Sequence, residues 1–162
     1  METTGDTIHV QSEEDCLSKP RILLVEDDAD IRRLNAEDLR NAGYQVDAVE
    51  DGAAAWDVLQ LNSYHLLITD QHWPKLSGVE LLKKIHDAHM ALPVIMITDI
   101  LPKLEFAEHP WIQPATMLLE PYSSAELLGM VKKALSKNAG VGGELAPSPT
   151  LKSQPVHHGQ LT

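Results

Sequence analysis

Four short apolar segments in this 162-residue sequence end in groups able to bind a cation or attack an electrophile. RILLV at 21–25 runs into Glu26, Asp27 and Asp28, and LLIT at 66–69 runs into Asp70. PVIMI at 93–97 leads to Thr98 and Asp99, and ATMLL at 115–119 leads to Glu120 and Pro121. Gathered at one place, such acids repel: at about 5 Å and an effective dielectric of about 20, each like-charge pair costs roughly 3 kcal/mol. A hard divalent cation relieves the repulsion, and Mg²⁺ suits one or two carboxylates completed by water. A carboxylate beside such a cation can also act as a nucleophile toward a phosphoryl group. The bland alternative is an exposed acidic rim that binds no ion.

The acids converge only if the apolar segments are strands lying parallel in one sheet. The intervening sequence supports this. Residues 28–42 carry Ile31, Leu34 and Leu39 near helical spacing, with Gly43 placed to stop a helix. QVDAV at 45–49 alternates like a strand near a sheet edge. Asp51 is a cap for a helix that turns Ala54, Ala55, Val58 and Leu59 inward. Ser77 with Glu80, and Ser123 with Glu126, form capping boxes that open two further amphipathic helices. Lys132, Lys133 and Lys137 lie near the end of the second, where the helix dipole favours cations. Only 99–114 breaks the rhythm: prolines at 102, 110 and 114 leave room for one or two helical turns between Lys103 and Glu108. Strand–helix alternation with apolar strands predicts an α/β fold, a doubly wound five-stranded parallel sheet with a shortened or irregular fourth helix. In such folds the working residues sit at the C-terminal ends of the strands.

Composition narrows the function. Thirteen Lys and Arg against 24 Asp and Glu give a formal charge of −11, which argues against nucleic acid as a partner. The single cysteine, Cys16, cannot make an internal disulfide and fits a cytoplasmic location. No apolar run is long enough for a membrane span, and METTGDTIHV has no signal-peptide character. Residues 1–19 are polar and acidic, and 139–162 are rich in Gly, Pro, Ser and Gln, so both are expected to be disordered tails around a domain at 20–138.

The motifs ILLVEDD at 22–28, LLITDQHWPKLSGVELL at 66–82, PVIMITD at 93–99 and LLEPYSSAELL at 118–128 occur in order and in register. In them the chain resembles the receiver domain of response regulators from bacterial two-component signalling systems, over about 120 residues. The resemblance implies a flavodoxin-like fold and Mg²⁺-dependent phosphorylation of one aspartate by a histidine kinase or phosphotransfer protein. Carried over, Asp70 is the phosphoacceptor, Glu26 and Asp27 are the acidic pair that holds Mg²⁺ beside Asp70, and the backbone carbonyl of His72 is a further ligand. Thr98 is the hydroxyl that bonds the phosphoryl oxygen. Pro121 is expected to follow a cis peptide bond. Three residues depart from the pattern: Glu120 stands where the family has a lysine, Met117 where it has an aromatic switch residue, and Trp73 where it has the methionine before a proline. These departures imply impaired switching within an intact fold.

Three function classes follow. The first is a non-enzymatic, single-domain response regulator that signals through a downstream protein still to be identified. The second is a pseudo-receiver that binds partners without phosphorylation. The third, a metal-dependent phosphohydrolase, lacks a general acid near Asp70 and a cap domain. His157-His158 reads as a solvated tail pair, and Gly140-Val-Gly-Gly143 is no phosphate loop because no strand precedes it. Trp111 suits either an interface or ordinary packing.

Overall fold

A computed structural model describes residues 19–71 and 76–138. The expectations for the two tails, for Cys16 and for His72 and Trp73 lie outside the described residues. The strands are β1 (Arg21–Val25), β2 (Gln45–Val49), β3 (Leu66–Asp70), β4 (Val94–Thr98) and β5 (Thr116–Leu119). The helices are α1 (Ala29–Asn41), α2 (Gly52–Leu61), α3 (Gly78–Asp87), α4 (Lys103–Glu108) and α5 (Ser124–Asn138). All strand pairs are parallel, in the order β2-β1-β3-β4-β5, so the expected doubly wound sheet is the observed one.

Side chains that alternate along the central strands feed two apolar layers. Ile22, Leu24, Ile68, Ile95 and Leu118 pack with Ala36 and Leu39 of α1 and Leu127 and Val131 of α5. Leu23, Val25, Leu67 and Met96 pack with Ala55 and Leu59 of α2 and Leu81, Leu82 and Ile85 of α3. Burial of each Leu, Ile, Val or Met side chain among them stabilises the fold by roughly 1.5–3 kcal/mol.

Helix boundaries follow the local chemistry. Asp28 caps α1 by accepting from the amides of Asp30 and Ile31, and Asp51 caps α2 by accepting from Ala54. Ser77 and Glu80 complete a reciprocal capping box, as do Ser123 and Glu126. Gly43 takes a φ of 97°, which lets the chain leave α1 and enter β2. Helix α4 is limited to six residues and has no side-chain cap, in line with the prolines around it. One helix faces differently from its apolar spacing: Ile31 and Leu34 of α1 are exposed, while Asn35, Ala36 and Leu39 are buried. The buried Asn35 is satisfied by donating from Nδ2 to the Tyr122 hydroxyl at 2.9 Å. No helix among the described residues is long and apolar enough to cross a membrane.

Candidate functional site

The C-terminal ends of β1, β3, β4 and β5 carry the predicted acids. Asp27 and Asp28 are exposed in the turn after β1, whereas Glu26 is almost fully buried, at 5% exposure. The three acids divide their work. Asp28 is spent on capping α1, but its own amide is shared between Glu26 Oε1 at 3.1 Å and Asp27 Oδ1 at 2.9 Å. One N–H therefore holds both remaining carboxylates at the mouth of the turn.

Asp70 is the last residue of β3, and its Oδ1 accepts from the amide of Gln71. Helix α3 begins close above it: the Gly78 amide donates to the Gln71 carbonyl at 3.1 Å. A Cβ at position 78 would lie 2.3 Å from the Asp70 carbonyl oxygen, so only glycine fits that approach. The Gln71 side chain is buried, and its Oε1 has no hydrogen-bond partner among the described residues.

The carboxylates feel one another. Glu26 is pushed up to about 7, first by burial and then by Asp27 and Asp70, against the pull of the Asp28 amide. Glu120 is also raised above the usual carboxylate range, by partial burial and by the charges of Asp70 and Asp99. Tyr122 is raised by burial and by the charges of Glu26, Glu120 and Asp70, against the pull of the Asn35 hydrogen bond.

Thr98 is fully buried at the end of β4, and its hydroxyl donates to the Ile100 carbonyl at 2.6 Å. The Ile100 amide returns a bond to the same oxygen at 3.2 Å. Met117 pairs with Met96 in the sheet and packs into the α2–α3 apolar layer rather than joining the acids. Glu120 follows β5, and its peptide bond to Pro121 is cis, as expected.

The acid edge is the place where a divalent cation would be held. Among the described residues no three Asp, Glu, His or Cys side chains converge as a ready ligand set. Mg²⁺ needs only one or two carboxylates with carbonyl and water oxygens, and the all-oxygen donors Glu26, Asp27 and Asp70 match that demand. A partly protonated, buried Glu26 among like charges is the electrostatic mark of an acid group that a cation would relieve.

Sequence reasoning missed four contributing residues. Arg32 donates from Nη1 to the carbonyls of Glu26 at 2.6 Å and Asp27 at 3.1 Å. Asn35 and Tyr122 tie α1 to the segment after β5. Gly78 allows α3 to approach Asp70. A basic residue in the first helical turn, where the dipole disfavours it, was the signal for Arg32. A polar residue on an inward-facing helical stripe was the signal for Asn35.

Known proteins share this sequence pattern and fold. A family model described as response regulator receiver domain matches residues 22–110. The response regulator receiver protein CpdR of Brucella abortus is 32% identical over 115 residues, which span 71% of this chain and 96% of that protein. The response regulator RppA of Synechocystis is 38% identical over 114 residues, 69% of this chain but 49% of RppA, so the chain spans about half of that relative. A CheY-like receiver domain protein from Methanospirillum hungatei shares the fold, with a TM-score of 0.72, 24% identity and coverage of 77% of this chain and all (100%) of that one.

Proposed function

The chain belongs to the response regulator receiver domain family of two-component signalling, and from that premise we propose that it accepts a phosphoryl group on Asp70 and signals through protein contacts with impaired switching. The observation that carries the reading is that Glu26 and Asp27 follow β1 while Asp70 ends the adjacent, buried strand β3, which puts all three at the same end of the sheet.

The donor is a phosphohistidine on a histidine kinase or phosphotransfer protein. An Asp70 carboxylate oxygen attacks phosphorus, a P–O bond forms and the P–N bond breaks. The electron pair returns to the donor imidazole, which takes up a proton. Mg²⁺, when bound, neutralises charge on the transferring oxygens. The chain's own residues do the remainder: the Gln71 amide orients Asp70, and the Asp28 amide holds Glu26 and Asp27. Exposed Ile31 and Leu34 line a cavity of about 730 Å³ with Asp99, Glu120 and Tyr122, a surface suited to a docking partner beside Asp70.

A second reading, a pseudo-receiver that binds partners without phosphorylation, is favoured by Glu120, which puts a negative charge where the family has a positive one. Intact-mass measurement after incubation with a small-molecule phosphodonor and Mg²⁺ separates the two. A phosphoryl gain lost in Asp70→Asn supports the first reading, and no gain supports the second.

A further inference from the structure

Arg32 occupies a position that helix electrostatics disfavour. It is the fourth residue of α1, and its amide makes the first bond of the helix, to the Asp28 carbonyl at 2.9 Å. A cation there faces the positive end of the helix dipole. Residues that break a local rule in this way tend to be held by function.

The bonds of this side chain show what it gains. The half-buried guanidinium reaches back past the helix cap to two successive carbonyls, those of Glu26 and Asp27. A carbonyl fixed from one side fixes the peptide plane that follows it. The two planes concerned are Glu26–Asp27 and Asp27–Asp28. The second carries the Asp28 amide, and that amide is the single donor shared by the Glu26 and Asp27 carboxylates. Arg32 thus grips the carbonyl side of the turn while the Asp28 N–H gathers the acids on the other.

We propose that Arg32 is a positioning residue for the phosphoacceptor site: its guanidinium locks the Glu26–Asp28 turn so that both carboxylates present their oxygens together for a divalent cation. Both bonds leave from a single nitrogen, Nη1, so a lysine ammonium near the same point keeps part of the grip. The inference rests on the metal-binding part of the proposed function, and it makes a separate claim about the turn itself.

Two measurements on wild type, Arg32→Ala and Arg32→Lys test it. The first is hydrogen exchange at the Asp28 amide in the metal-free protein. The second is Mg²⁺ affinity by calorimetry. Groups that orient metal ligands typically change affinity by about 10–100-fold when removed, so Arg32→Ala should weaken Mg²⁺ binding by at least about tenfold. It should also speed Asp28 exchange while leaving the exchange of β3 and β4 amides unchanged, with Arg32→Lys intermediate in both measurements. Unchanged Asp28 exchange in Arg32→Ala overturns the proposal whether or not the metal binds. Faster exchange with unchanged Mg²⁺ affinity also overturns it, because the turn would then not set the ligands. Faster Asp28 exchange in a protein whose wild type binds no Mg²⁺ removes the metal reading, while the lock on the turn stands.

Discussion

The amide of Glu120 donates to the carbonyl of Thr98 at 3.0 Å, so the ends of β4 and β5 are tied at the rim of the acid edge. This bond sets side by side the two residues on which the proposed switching turns, and their side chains diverge in what they do. The Glu120 carboxyl feels Asp70 and Asp99. The Thr98 hydroxyl is committed to Ile100. A phosphoryl group on Asp70 would meet the carboxylate that follows β5, and it must draw the β4 hydroxyl out of a closed local pair.

That closed pair gives a direct readout. If Thr98 turns to a phosphoryl oxygen, the Ile100 amide and carbonyl lose their partner. Adding beryllofluoride, a phosphate mimic, with Mg²⁺ should shift the Ile100 amide resonance in wild type and in Thr98→Ser. In Thr98→Ala the Ile100 resonance should already be displaced and should respond little. An Ile100 signal indifferent to the mimic in wild type would show that Thr98 takes no part.

Metal binding should appear as stability. A cation that binds only the folded state raises its melting temperature. Mg²⁺ should therefore stabilise the wild type, and Asp27→Ala should remove most of the gain. If Glu26, pushed up to about 7 by burial, is a ligand as proposed, binding displaces its proton, and the gain should increase as pH rises through about 7. A gain that survives Asp27→Ala would move the site elsewhere.

The opposite end of the sheet supplies an acid limit to stability. Asp47 accepts from the Tyr64 hydroxyl at 2.7 Å and from Arg21 Nη2 at 2.6 Å. Burial works to raise its carboxyl, but these partners outweigh it and hold the group below its ordinary value of 3.8. A depressed carboxylate contributes stability above its unfolded value and loses it as pH falls through the folded one. The pair is partly exposed, so its worth is roughly 1 kcal/mol or less. Asp47→Asn should lower the urea midpoint at pH 7, and the gap should close below the ordinary carboxylate value. An equal gap at both pH values would assign the loss to packing.

Leu67 is fully buried on β3 in the α2–α3 layer, three residues before Asp70. Leu67→Ala should cost roughly 2–5 kcal/mol in urea unfolding, as cavities in close-packed cores do. A cost below about 1 kcal/mol would contradict a tightly packed layer behind the site.

Much of this was legible in residue order. Strand bounds, caps and the short α4 follow from local patterns that tertiary packing did not overturn. The acids were legible as a set because they end separate strands. Their division of labour was not, since Asp28 caps a helix while Glu26 is buried, and both look alike in sequence. Ile31 and Leu34 point outward because Asn35 takes the inward stripe through Tyr122, a contact made across 87 positions. The direction of the Thr98 hydroxyl depends on the turn to Ile100, which residue type alone does not specify.

Under the proposed function, Asp70 accepts phosphate and Glu120 limits it. At about 5 Å and an effective dielectric of about 20, Glu120 would oppose each added charge by roughly 3 kcal/mol, and its exposure reduces this to about 1 kcal/mol. The most direct measurement is the phosphorylated fraction by intact mass, at fixed phosphodonor and Mg²⁺, for wild type, Asp70→Asn and Glu120→Lys. Wild type should show a small fraction, Asp70→Asn none, and Glu120→Lys a rate of phosphorylation higher by about five- to tenfold. Phosphorylation that persists in Asp70→Asn, or equal rates in wild type and Glu120→Lys, would contradict the proposed function.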